Sequence, residues 1–175
     1  MNRTTKNTTK NRMAKAGAWA KLIALCMIMM VAVAYADTTV SAKSKGYGFK
    51  YKGVTVYMGK SASKLIKKAG KPKAKQVSKS CAYDGKDRVY KYKNFILYTY
   101  SDSEKGKEYV NGITFLNSKV KTKEGIKIGS SLKKVKKAYG KKKAQNGIYT
   151  YKKGKCKLQI EVKEEKVTNI RYILA

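Results

Sequence analysis

Val56-Tyr57-Met58-Gly59-Lys60-Ser61 and Ile126-Lys127-Ile128-Gly129-Ser130-Ser131 are two versions of one phrase, and their reading decides the fold. Each runs into a short stretch of helical periodicity that stops at a glycine, Gly70 in the first and Gly140 in the second, both at an offset of 70 residues. In the first stretch Ala62, Leu65, Ile66 and Ala69 fall at i, i+3, i+4 and i+7, a single apolar stripe. Ser61 is placed to cap its start and Gly70 its end. In the second, Leu132, Val135 and Tyr139 make the stripe, with Ser130 or Ser131 and Gly140 at the ends.

Two further landmarks recur in the same order. Val89-Tyr90-Lys91-Tyr92 matches Ile148-Tyr149-Thr150-Tyr151 at an offset of 59, and Val110, Ile113 and Phe115 match Val167, Ile170 and Tyr172 at an offset of 57. The first copy is therefore 11 residues longer between its helix and its first hairpin. Four landmarks in one order point to a duplication, and two copies, too few for a solenoid, must share one core. After each helix the period changes to two. Cys156, Leu158, Ile160 and Val162 alternate with Lys157, Gln159 and Glu161, between turns at Lys152-Lys153-Gly154-Lys155 and at Lys163 to Lys166. The expected fold is α+β: two tandem α-β-β-β repeats, 52–120 and 121–175, forming one curved antiparallel sheet of about six to eight strands with two helices on one face. Residues 37–51 are expected as an exposed N-terminal segment.

The first 36 residues read as a targeting signal. Arg3, Lys6, Lys10, Arg12, Lys15 and Lys21 form a basic leader without an acid, Leu22 to Val33 is apolar, and Ala34-Tyr35-Ala36 is a small-x-small cleavage signature. A retained anchor is the rival, but the charge-free stretch from Leu22 to Ala36 is shorter than the roughly 20 residues that span a bilayer. Cys26 does not suit lipidation, because Leu25 precedes it and the apolar run continues beyond it. The expectation is export with cleavage after Ala36, and a secreted or envelope-associated product without a stable membrane anchor. The whole chain carries 42 Lys+Arg against 10 Asp+Glu, a formal +32. Residues 37–175 keep 36 bases and all 10 acids, a net +26.

The pattern Ile/Val-x-Ile/Met-Gly-x-Ser-x-x-x-Leu/Val-x-x-x-x-Gly followed by Tyr-x-Tyr hairpins, in two copies over roughly 52–174, resembles the tandem-repeat secreted β-lactamase-inhibitor-protein-like superfamily. Its half-repeat is similar to the small lipoproteins of the outer-membrane assembly machinery. Ser80-Cys81-Ala82-Tyr83-Asp84-Gly85, continuing through Tyr90-x-Tyr92, also resembles secreted Gram-positive proteins with this repeat. The resemblance implies a binding protein rather than an enzyme, and in that family the usual disulfides lie within each repeat.

Beyond the leader only Cys81 and Cys156 remain, an even pair in an exported chain. A bridge between them is the favoured reading and would stabilise by roughly 4 kcal/mol in the chain-entropy account. Two reduced thiols packed as small apolar groups are the alternative. No metal or cofactor is expected: with no His in the chain, two Cys make a poor zinc site. The lack of His also removes the usual general base, and the acids are scattered, so catalysis is not expected.

Charge is the strongest functional signal. On a helical wheel Lys60, Lys64, Lys67 and Lys68 lie largely away from the first apolar stripe, and Lys133, Lys134, Lys137 and Lys141 away from the second. Lys136 falls at the stripe's edge, its stem packed and its ammonium in water. Residues 37–175 hold 34 Lys but only Arg88 and Arg171. Lysine offers a mobile point charge, whereas the arginine fork reads guanine or grips phosphate bidentately. The composition favours sequence-independent attraction to an anionic cell-wall polymer or acidic glycan, and disfavours specific nucleic-acid recognition. Solubility alone is the bland alternative. A second reading gives the sheet a protein partner, met by Tyr90 and Tyr92, Tyr98 and Tyr100, and Tyr149 and Tyr151. These pairs can equally face the helices as core. A membrane-active role has least support, because both helices are short and their apolar faces are needed inside.

Overall fold

The computed structural model describes residues 46–82 and 84–175. The leader, Cys26, the cleavage point after Ala36, residues 37–45 and Tyr83 lie outside the described residues. Within them the order is β1 (Gly48–Tyr51), β2 (Val54–Tyr57), α1 (Ser63–Ala69), β3 (Ala74–Lys79), β4 (Lys86–Lys91), β5 (Phe95–Tyr100), β6 (Tyr109–Phe115), α2 (Leu132–Tyr139), β7 (Ile148–Lys153), β8 (Cys156–Lys163) and β9 (Lys166–Leu174). The architecture is broadly α+β, mostly antiparallel sheet with two helices.

Both helices stand where the apolar stripes place them. Leu65 on α1, and Leu132 and Val135 on α2, are buried, and Ile66, Ala69, Ala138 and Tyr139 pack partly against the core. Gly70 and Gly140 end them at positive φ, where a side chain would be strained. Their N–H groups bond back to the Ile66 and Lys136 carbonyls at 3.1 and 2.9 Å. The starts match the expected serine caps only in part: Ser61 Oγ accepts from the Ser63 N–H at 3.4 Å, one residue ahead of the N-cap position. Ala62 occupies the N-cap of α1 and Ser131 that of α2, and neither side chain caps. The backbone takes over: the Ala62 N–H donates to the Glu108 carbonyl and the Leu132 N–H to the Glu165 carbonyl, both at 2.9 Å. Each helix start is thus tied to the loop before a strand, Glu108 ahead of β6 and Glu165 ahead of β9, an arrangement invisible to local capping rules.

The strands form two sheets where one was expected. Seven lie in the order β3-β4-β5-β6-β9-β8-β7, and β1 with β2 makes a separate hairpin. The hairpin arises because Lys52 (φ 45°) and Gly53 (φ 83°) are both left-handed, as a tight two-residue connection demands. Over the described part, 46–51, it also corrects the reading of 37–51 as exposed. Phe49 is fully buried, with ring centroids 5.2 Å from Phe95, 5.5 Å from Phe115 and 6.2 Å from Tyr172. The hairpin and both helices therefore close over the same face of the large sheet, in one continuous core. Across that face the register aligns Tyr90, Leu97, Ile113, Tyr172, Leu158 and Tyr151 as successive cross-strand partners. All six are buried.

Cys81 and Cys156 are free, contrary to the favoured bridge. Cys81 is exposed just beyond β3 at one edge of the sheet, and Cys156 is buried at the start of β8. Five strand intervals separate β3 from β8. At about 4.8 Å each they amount to roughly 24 Å, well beyond the roughly 7 Å that a disulfide tolerates.

Candidate functional site

The helix lysines point to solvent because the opposite stripe of each helix is consumed by the core. Lys60, Lys64, Lys67, Lys68, Lys133, Lys134, Lys137 and Lys141 are all exposed. None makes an ion pair within 4.0 Å among the described residues, where the ion pairs are Lys86 with Glu104 and Arg88 with Glu108. On and just past α2 the spacing gathers Lys133, Lys136, Lys137 and Lys141 along one groove of about 370 Å³, with Glu165 as its single acid among the described residues. Lys136, half-buried at the stripe's edge, joins the exposed lysines there. Glu165 is held by its own left-handed backbone in the β8–β9 turn and by the Leu132 N–H on its carbonyl. Lys60, Lys64, Lys67, Lys68 and Lys134 do not line this groove.

Cations near a helix C-terminus are favoured by the macrodipole, which suits Lys67 and Lys68 on α1 and Lys136 and Lys137 on α2. The same clustering sets like charges at i and i+4, Lys133 against Lys137, which costs a few tenths of a kcal/mol per pair. An anion lying along the groove removes that cost.

The six tyrosines separate by face. Tyr90, Tyr92 and Tyr151 are buried in the core, and Tyr149 packs against it. Tyr90, Tyr92 and Tyr151 are core, which corrects the reading of those three as partner-binding; Tyr149 faces the same side of the sheet but is half-buried. Burial holds the Tyr90, Tyr92 and Tyr151 hydroxyls above their ordinary pKa; at Tyr90 the hydrogen bond to Glu108 adds to it. Tyr98 and Tyr100 alternate to the opposite face of the sheet, where both are half-buried. There Tyr98 lines an open groove of about 390 Å³ with Asn111, Gly112, Thr114, Arg171, Tyr172 and Ile173. A bulge in the β5–β6 pairing at Tyr98/Thr99 shapes it. A side chain at Gly112 would meet the Tyr172 carbonyl at 3.0 Å and the Tyr98 ring at 3.5 Å, so this position stays open.

Sequence reasoning missed a polar cluster at one end of the core. The Tyr90 hydroxyl donates to the Glu108 carboxylate, 2.8 and 3.0 Å from its two oxygens, and Thr99 Oγ1 donates to Oε2 at 3.0 Å. Arg88 Nε lies 3.5 Å from Oε1, and its Nη1 donates to Ser101 Oγ at 3.2 Å and to the Lys86 carbonyl at 3.3 Å. Thr99 and Ser101 are buried. Their alternation with Leu97 along β5 was the only available signal. The cluster is a satisfied ion pair rather than a reactive one. Cys156 is equally unreactive: burial pushes its thiol up to about 11, with N–H groups of Tyr47 and Ile173 opposing the shift.

Among the described residues no group of three His, Cys, Asp or Glu is placed to hold a metal ion, and no helix is long and apolar enough to cross a membrane. In comparisons with known proteins, no family model, no curated protein and no solved structure matches this chain.

Proposed function

We propose that the protein is an exported, non-catalytic binding module that attaches electrostatically to an anionic polymer of the cell envelope. One observation carries this reading. Among the described residues Lys133, Lys136, Lys137 and Lys141 share a groove with a single acid, and none of the four has an ion-pair partner within 4.0 Å. Four ammonium groups spaced along one groove suit a flexible polymer with a repeating negative charge. A preponderance of lysine over arginine fits attraction without sequence reading.

Purified protein mixed with its own cell walls, with and without teichoic acid, across a salt series, tests this. Four released counterions at a charge density like that of duplex DNA imply about a hundredfold loss of affinity between 50 and 200 mM salt. Lys133→Glu with Lys137→Glu flattens that dependence by about half. Salt-resistant binding, or binding that ignores the polymer, refutes the proposal. A protein-binding role is the second reading, favoured by the groove at Tyr98 and by the half-exposed pair Tyr98 and Tyr100.

The same proposal includes a duplicated origin and membership of the inhibitor-protein-like superfamily. Support comes from hydrogen bonds that repeat at the sequence offsets. Gly59 N–H donates to the Val110 carbonyl and Gly129 N–H to that of Val167, each at 2.8 Å. Val110 N–H returns to the Lys60 carbonyl and Val167 N–H to that of Ser130, and Ser61 bridges Tyr109 as Ser131 bridges Lys166. The helix side of every pair is shifted by 70 residues and the strand side by 57. The order β4-β5-β6 followed by β9-β8-β7 is what two copies of a three-stranded meander give when joined at their last strands.

A further inference from the structure

On the face of the seven-stranded sheet turned away from the core, the three central strands break with the rest of the chain. β5, β6 and, past Lys166, β9 contain no lysine, although residues 37–175 hold 34. Their outward positions carry Ile96, Tyr98, Asn111, Thr114, Arg171 and Ile173. The chain's two arginines beyond the leader have different fates. Arg88 is tied to Glu108, whereas Arg171 is exposed and without an ion-pair partner within 4.0 Å among the described residues. Among the described residues Arg171 supplies the only charge lining the groove of about 390 Å³. It also lines a smaller adjoining recess with Gln159, Asn169 and Glu161. Thr114 Oγ1, within the groove lining, is buried without a hydrogen-bond partner among the described residues.

We propose that this face is a second binding site, for a carboxylate-bearing sugar unit of a glycan. The Arg171 guanidinium offers a planar fork that matches a carboxylate bidentately, which a lysine does not. The Tyr98 ring beside Gly112 offers a flat apolar surface for the C–H face of a pyranose, and Asn111, Asn169 and Gln159 supply planar donors and acceptors for hydroxyls. Arg171 in the groove calls for one negative charge on the occupant, carried on the Tyr98 side and away from Glu161 in the adjoining recess. The groove's size favours a sugar over a protein: it lies at the small end of the roughly 300–1,000 Å³ of small-ligand sites. β5, β6 and β9 are interior strands, paired on both sides, and so present no free edge to a partner strand. This site is independent of the lysine groove on α2, because its residues lie on the sheet face away from the helices.

The test is titration of the isotope-labelled protein with tetragalacturonate in 0.5 M salt, where surface lysine attraction is screened, followed by backbone amide shifts. The methyl ester of the same oligosaccharide, with its rings unchanged and its charge removed, serves as control. Expected are saturable shifts at Tyr98, Asn111, Gly112 and Arg171 and at least tenfold weaker binding of the ester. A loss of about tenfold or more is expected in Arg171→Gln, Arg171→Lys and Tyr98→Ala, and no change in Lys133→Glu with Lys137→Glu. All the substituted side chains are exposed or half-exposed, and unchanged thermal midpoints verify that the variants fold. Shifts confined to α2, equal binding of the ester, or full binding by Arg171→Lys overturn the proposal. No binding of the acid, or displacement only by a protein partner, overturns it as well.

Discussion

Replacing Glu108 by Ala removes the acceptor for three donors at once, and the structure fixes the size of the effect. The Tyr90 hydroxyl and Thr99 Oγ1, on residues 4% and 2% exposed, lose their partner, and the Arg88 side chain, 12% exposed, loses its counter-charge. A stranded buried hydroxyl costs about 1–3 kcal/mol, and breaking a buried pair about 3–5 kcal/mol when both charges are enclosed. Glu108 keeps 22% of its side-chain surface in water, so water reaches part of the cluster and the lower ends apply. The expected loss is about 5 kcal/mol, a large share of the roughly 5–15 kcal/mol typical of a domain. Glu108→Gln keeps an amide oxygen for one hydroxyl and loses the charge, so it should lose about half as much. The assay is urea unfolding with linear extrapolation, followed by tyrosine fluorescence and circular dichroism, at pH 7. A second arm makes Tyr90→Phe in both backgrounds. The two substitutions should couple by about 1 kcal/mol or more, because they share one hydrogen bond. A loss below 1 kcal/mol for Glu108→Ala, or strict additivity with Tyr90→Phe, refutes the view that this cluster fastens β4 and β5 to the segment that receives α1.

Stability should fall on the alkaline side in two stages. Burial raises Cys156 from 9.0 to about 11, and it raises Tyr139 and Tyr172 well above 10. A raised folded-state pKa gives a contribution complete below the unfolded value and lost as pH climbs through the folded one. That rise at Cys156, at about 1.4 kcal/mol per tenfold change in proton affinity, sets an upper limit near 3 kcal/mol lost between pH 9 and 11. Cys156→Ala should abolish that first stage in urea titrations and leave the tyrosine stage, which begins near pH 10. Thiol labelling of the native protein should modify Cys81 within minutes and Cys156 only in denaturant, with both masses found reduced; a bridged pair by mass spectrometry contradicts the strand order.

The sequence by itself determined which segments become helix and strand wherever local periodicity and a stop signal agreed. Leu65 with Gly70, Val135 with Gly140, and Cys156-x-Leu158-x-Ile160 were legible because burial on one side imposes 3.6- or 2-residue spacing on the chain. It also determined the exposed lysines, since a helix stripe spent on the core leaves its other residues to solvent. Only the tertiary structure decided what depends on distant partners. The β1–β2 hairpin was missed because its strands are four residues each, too short to establish a period, and its worth lies in Phe49 reaching Phe95 and Phe115. Tyr90 and Tyr98 look alike in sequence, yet register sends one into the core and the other onto the open face, because neighbouring partners in a sheet share a side. Glu108 became the anchor of a buried cluster, and the cysteines were set five strands apart, for the same reason. Cross-strand pairing joins residues that no local pattern connects, and it is pairing, more than composition, that gives each side chain its neighbours.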